Sequence, residues 1–233
     1  MNTRQATLTL AAAAGLAFLS APSLCAQSTE VTETEGAGAF TVSATAGYQK
    51  RDRAVDSAGT TTFKGGYLLD TAFGYREKGH HVEAGYTYFY NKCRTTDPAG
   101  PAIGVEPSSG NVDVDAVMGN YSYTFSPGIK KVDVYLGGGY GRYRVSINGL
   151  TTPSLRTLPP EWGGPVIVYA KSSWTNAYQL RGGVKFSPSD GWDILAGYRF
   201  FDGSTMDIKL ADGSVIHPDC RIHAFEASVR FSF

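Results

Sequence analysis

The segment Phe225 to Phe233 (FEASVRFSF) alternates large apolar residues with small or charged ones. Phe225, Ala227, Val229, Phe231 and Phe233 fall on one side, and Glu226, Ser228, Arg230 and Ser232 on the other. A strict period of two belongs to a strand with chemically different faces. The same pattern recurs in Phe40–Tyr48, Tyr67–Tyr75, Val82–Tyr90, Val132–Gly141, Tyr178–Phe186 and Trp192–Phe200. An eighth candidate is less regular. Val112, Val114 and Ala116 are in one phase, whereas Val117, Gly119, Tyr121, Tyr123 and Phe125 are in the other. A bulge near Asp115 to Val117 would reconcile the two phases.

Each of these strands is close to the length that a tilted strand needs to cross a bilayer. The apolar face often ends in Tyr, Phe or Trp, which suits the two membrane–water interfaces. The opposite face is rich in Gly, Ser and Thr with a few charges, as a narrow lumen requires. A soluble sandwich, or a soluble barrel around a ligand, would turn its bulky face inward and carry more Lys and Glu outside. High Gly (28) and Tyr (14) agree with many strands joined by turns.

The connections come in two sizes. Arg76–His81, Ser126–Lys131 and Ser187–Gly191 are short, with Pro/Gly turn chemistry in the last two. Lys50–Thr62, Asn91–Asn111, Ile147–Ser173 and Asp202–Arg221 are long, and short and long alternate. That alternation predicts periplasmic turns, extracellular loops and both barrel ends on the periplasmic side. The predicted fold is therefore all-β, an eight-stranded antiparallel up-and-down transmembrane β-barrel over residues 39–233.

Residues 1–26 read as a cleavable signal peptide. Arg4 precedes the apolar run Leu8–Leu19, and Leu24-Cys25-Ala26 forms the cleavage region. Lipidation at Cys25 is the rival reading, with Leu24 a poor residue before it. Residues 27–38 (QSTEVTETEGAG) read as a flexible periplasmic tail. Lys plus Arg (21) equals Asp plus Glu (21), which gives no support for nucleic-acid binding. The remaining cysteines, Cys93 and Cys220, are free to pair in an oxidising compartment or to stay as separate thiols.

These residues resemble the small outer-membrane β-barrel family that includes OmpA-, OmpX- and opacity-type proteins. The resemblance rests on Val132–Gly141 (VDVYLGGGYG), Tyr178–Val184 (YQLRGGV), Ala196–Phe201 (AGYRFF) and the closing Phe225–Phe233. It implies an outer-membrane location. It also implies that Phe225, Val229, Phe231 and Phe233 form an assembly signal read by the barrel-insertion machinery. Outer-membrane lipid and periplasmic chaperones are then further partners. The fold alone specifies no activity.

The chemistry-bearing residues point inward. Asp70, Glu83, Arg181, Lys185, Asp193, Arg199, Glu226 and Arg230 all fall on the small-residue face. Buried charges must be paired, so these eight predict a salt-bridge network that fills the lumen, with a narrow gated ion path as the alternative. Glu226 or Arg230 is placed to meet Arg199 or Asp193. His80 and His81 are expected as solvated turn residues. His217, Asp219, Cys220 and His223 form a dense cluster, but no metal site, cofactor or catalytic residue is assigned. His223 lies in the apolar register and Glu226 and Ser228 in the other, so they cannot make a triad. Trp162 and Tyr169 are expected to be exposed on a long loop that contacts host or surface ligands. The expected role is envelope structure or surface interaction, with a small-solute pore and a lipid-modifying enzyme as alternatives.

Overall fold

The computed structural model describes residues 38–56, 59–98, 104–156, 167–209 and 215–233. The expected signal peptide, residues 1–26, the expected tail up to residue 37, and Trp162 lie outside the described residues. Eight long strands carry the fold: β1 (Ala39–Arg51), β2 (Gly66–Glu77), β3 (His80–Pro98), β4 (Ser109–Ile129), β5 (Val132–Thr151), β6 (Thr175–Ser189), β7 (Trp192–Gly203) and β8 (Cys220–Ser232). Each pairs antiparallel with its sequence neighbours, and β1 pairs with β8. Every strand therefore has two partners, and the sheet closes without a free edge. The seam is tied at its periplasmic end by Phe40 N–H to Phe233 O and Phe233 N–H to Phe40 O, both 3.0 Å.

The turns follow from local chemistry. Between β2 and β3, Lys78 (φ 48°) and Gly79 (φ 84°) both take positive φ, the conformation of a type I′ hairpin turn that matches strand twist. Backbone pairing continues far beyond the membrane on one side. β3, β4 and β5 have 19, 21 and 20 residues, against 13, 12 and 13 for β1, β2 and β8. Much of what reads as loop in Asn91–Asn111 is therefore strand. A hairpin from the β1–β2 connection, Ala54–Asp56 with Gly59–Phe63, adds to the tip of β3. The strand Val168–Lys171 pairs with the top of β5.

β4 has no bulge at Asp115–Val117. Its register against β3 runs unbroken from Lys92↔Asn111 to His80↔Tyr123. Val112, Val114, Ala116, Met118 and Asn120 all point inward and are buried, while Val117, Tyr121, Tyr123 and Phe125 point outward. The change of phase in the sequence is a change in what the lumen contains, from apolar above to polar below.

The outer wall is built for lipid. A lower ring of exposed aromatics contains Phe40, Tyr75, Tyr123, Phe125, Phe186, Trp192, Phe231 and Phe233. An upper ring contains Tyr48, Tyr67, Tyr140, Tyr178, Tyr198 and Phe225. Between them the wall is Leu69, Val117, Leu136, Leu180, Val184, Ile194 and Val229, also exposed. From Phe40 to Tyr48 there are eight strand steps, about 26 Å along the strand, which spans the apolar band once tilt is allowed for.

Candidate functional site: a lumen filled in two layers

The lower layer is ionic. Arg199, fully buried on β7, lies at its centre. Its Nε donates to Glu226 Oε2 at 2.7 Å, and its Nη1 donates to Asp70 Oδ2 at 2.9 Å, Thr87 Oγ1 at 3.1 Å and Gln179 Oε1 at 3.3 Å. Arg181 bridges two carboxylates, donating from Nε to Glu226 Oε1 at 3.1 Å and from Nη1 to Glu83 Oε1 at 2.5 Å. Arg230 approaches Glu83 Oε2 at 3.7 Å. Three guanidinium groups and three carboxylates from five strands thus form one continuous cluster. Neutral groups complete it. Thr87 donates to Asp70, Asn120 Nδ2 donates to Glu83 Oε1, and Gln179 Nε2 donates to Asn120 Oδ1.

Nearer the periplasm, Asp193 accepts from Arg76 Nη1 at 2.8 Å and from Ser187 Oγ at 2.6 Å. Lys185 pairs with Asp133 at 2.9 Å. All eight charges read from the sequence therefore face inward. Glu226 meets Arg199, as its spacing suggested, whereas Arg230 turns to Glu83. Arg76 and Asp133 were missed because each lies close to a turn, where a charge reads as solvated.

His81 corrects the expectation of a solvated turn residue. It is buried inside the barrel, with Nε2 2.8 Å from Thr41 Oγ1 and Nδ1 3.6 Å from Glu83 Oε2. The strand begins at His80, two residues earlier than the pattern shows, and this puts His81 in the inward phase with Glu83. His80 stays outside against Tyr121. The denser histidine group does not converge. Cys220 points into the barrel, His223 lies outside against Tyr198, and His217 pairs with Asp207 at 2.8 Å.

The upper layer is apolar, and the sequence reading did not anticipate it. Leu68, Phe89, Val114, Met118, Tyr143, Val145, Phe201 and Ile222 fill the extracellular half of the lumen. Phe201 stacks between Phe89, at 5.1 Å, and Tyr143, edge-on at 5.6 Å. The β7–β8 loop folds onto this cluster. Its Met206, Ile208 and Ile216 are buried, and a two-rung ladder, Ile208↔Ile216 and Lys209↔Val215, gives the loop its shape. Tyr143 Oη donates to the carbonyl of Ser204 at 2.5 Å, fixing the loop base over the mouth. The signal lies in Val112-x-Val114-x-Ala116, where it breaks the alternation, and in Met206-x-Ile208, within a long connection.

Cys93 and Cys220 are buried free thiols in this apolar layer. They stand on β3 and β8, with β2 and β1 between, three interstrand steps of about 4.8 Å around the wall. Arg51, also buried, points into the same region and lies over the Phe63 ring at 4.8 Å.

A closed eight-strand wall with two aromatic rings and a charged lower lumen has counterparts among known proteins. A family model described as the outer membrane protein beta-barrel domain matches residues 11–233. The chain belongs to that family. Among solved structures this family member is similar to Neisserial surface protein A, with a TM-score of 0.55 and 20% identity over 84% of this chain and 99% of that one. It is also similar to the outer membrane protein OprG from Pseudomonas aeruginosa, with a TM-score of 0.54 and 12% identity over 85% of this chain and 97% of that one. At these identities the likeness is one of fold. Comparison with curated proteins gave no match. The protein is thus an eight-stranded barrel of the bacterial outer membrane.

Proposed function

We propose that this protein is a closed, non-enzymatic barrel whose work is done at the cell surface. The observation that carries this reading is the double filling of the lumen. An ionic layer centred on Arg199 lies beneath an apolar layer centred on Phe201, and the β7–β8 loop covers the second. Hydrated ions crossing such a lumen would have to break paired charges and then enter hydrocarbon-like packing, and both steps are costly. The sheet, by contrast, continues outward in β3, β4 and β5. It presents a rigid platform with exposed Tyr169 and Val105 near its rim. Binding residues on loops held by a rigid scaffold are a common arrangement.

The aromatic last strand supports a second part of the same reading. Phe225, Val229, Phe231 and Phe233 all face outward, where insertion machinery could read them after delivery by periplasmic chaperones.

Planar-bilayer recording of the full folded chain tests the proposal. The expected result is no steady single-channel conductance; a stable open level would replace the closed-barrel reading with a pore, for which the polar lower layer would be the conduit. In parallel, replacing residues 95–110 at the β3–β4 tip with a two-residue turn is expected to leave heat-modifiable gel migration intact. The same replacement should reduce attachment of expressing cells to host-cell and matrix-coated surfaces.

A further inference from the structure

Outside the barrel, just above the upper aromatic ring, the charges are unevenly matched. Around most of the circumference the outward cations are engaged. Arg144 Nε pairs with Asp115 at 3.0 Å and its guanidinium lies over Trp174 at 4.9 Å. Arg142 Nη2 donates to the Trp174 carbonyl at 2.7 Å. Arg221 pairs with Asp202 at 3.6 Å, and His223 approaches Asp52 at 3.8 Å.

The facet formed by β1, β2 and β3 is different. Lys50, Lys64, Lys92 and Arg94 are all exposed there, and among the described residues none of the four forms an ion pair. Lys64 and Lys92 are opposite each other, joined by Lys64 N–H to Lys92 O at 2.9 Å. Like charges facing across a sheet destabilise it unless an anion lies between them. Lys50 comes to the same level from the other side, because the Gln49↔Gly66 register sets it opposite Gly65. Gly65 has no side chain, and the place its Cβ would take is filled by the Tyr48 hydroxyl. Directly below, Tyr48, Tyr67 and Tyr90 run side by side across the three strands, with Tyr67 and Tyr90 stacked at 5.0 Å. Two carboxylates beside this facet are already engaged: Asp52 lies 3.8 Å from His223, and Asp113 accepts from Asn111 and Asn148.

We infer that this facet is a docking site for the phosphorylated headgroup of an outer-leaflet glycolipid, with Lys50, Lys64, Lys92 and Arg94 holding phosphate and the three tyrosines lying against the sugar and upper acyl region. Position selects the lipid over a soluble anion. The cations start two residues above the ring that marks the membrane surface, at the depth of lipid phosphates, and amphipathic tyrosines belong at that boundary. The unmatched positive charge supplies complementarity at the point where the strands leave the membrane. The facet would anchor the barrel's rotation and tilt in the outer leaflet.

The test uses the full folded chain in detergent and reads bound lipid by native mass spectrometry, with bis-phosphorylated lipid A as the probe. Each cation near an anionic surface contributes roughly fivefold in affinity, so K50Q/K64Q/K92Q should weaken retention by about a hundredfold. K50R/K64R/K92R should retain binding. K171Q/K209Q, which removes exposed cations elsewhere on the extracellular side, should also retain it. Heat-modifiable migration confirms that each variant is folded. Undiminished binding by the glutamine variant would overturn the assignment, as would equal binding of lipid A stripped of both phosphates. Full competition by inorganic phosphate at matched concentration would overturn the lipid as the occupant.

Discussion

The two halves of the lumen solve the same problem by opposite means. Each must fill a narrow tube without leaving a void or an unsatisfied group. The periplasmic half does it with charge: Arg181 and Arg199 each hold two carboxylates, and Asn120, Gln179 and Thr87 extend the hydrogen bonding between them. The extracellular half does it with shape, packing Phe89, Tyr143 and Phe201 against aliphatic side chains and a folded-over loop. The ionic half is specific but brittle, because each charge has a defined partner and losing one strands the other. The apolar half is more tolerant, because a shortened side chain leaves a cavity that its neighbours partly refill. On the closed-barrel reading proposed above, the two layers close the tube redundantly, while stability depends more steeply on the lower half.

Breaking the lower half is expected to have the largest effect. Replacing Arg199 with Met leaves Glu226 and Asp70 without their central partner inside the barrel. The cost should be about 3–5 kcal/mol, read as a lowered urea midpoint for unfolding in lipid vesicles. Adding E226Q and D70N to the same chain should recover a large share of the loss; no recovery would mean that Arg199 stabilises by packing. On the upper half, Phe201→Ala removes the ring between Phe89 and Tyr143. A loss of about 3 kcal/mol is expected, together with continued absence of conductance, since the ionic layer still closes the tube. A steady current in that variant would show that the apolar half alone is the barrier. On the outer wall, Ala196→Arg puts a charge mid-way between the aromatic rings. It should cost about 2–4 kcal/mol, and a negligible effect would displace the assigned membrane band.

The fold was legible because one face of each strand must be apolar to lie in lipid, and that face writes a period of two into the sequence. The lower lumen was legible for the same reason: charges such as Glu83, Arg181 and Glu226 stand out against Gly, Ser and Thr in the opposite phase. The upper lumen was not. There the inward face is also apolar, so in Val112–Val117 both faces carry similar residues and alternation loses its contrast. Strand extension beyond the membrane was hidden too. Outside lipid no face need be apolar, and the ladder of β3 to Thr96 is held by threonines from 59–63, not by a hydrophobic pattern. His81 reads as solvated because a two-residue difference in where the turn ends decides whether its side chain faces water or lumen.

The smallest predicted effect concerns the rim, where neither filling strategy applies and contacts are exposed. Glu106, in the β3–β4 connection, accepts from the Ser154 backbone N–H at 3.1 Å and from the Ser154 hydroxyl. The hydrogen bond from the Ser154 side chain, helped by one from Thr152, holds the Glu106 carboxyl below its ordinary value. A depressed carboxyl value means that the unfolded loop takes up a proton before the folded one does. The contact therefore adds stability above the unfolded value and loses it as pH falls through the folded one. Amide exchange at Ser154, corrected for intrinsic rate, should accelerate as the solution is made acidic below the normal glutamate range. Glu106→Gln should flatten that dependence while leaving exchange at buried Phe89 and Phe201 unchanged. If acid instead loosened Phe201 before Ser154, the rim would be more firmly held than the apolar half beneath it, and the ranking of regions drawn from the two lumen layers would have to be reversed at its upper end.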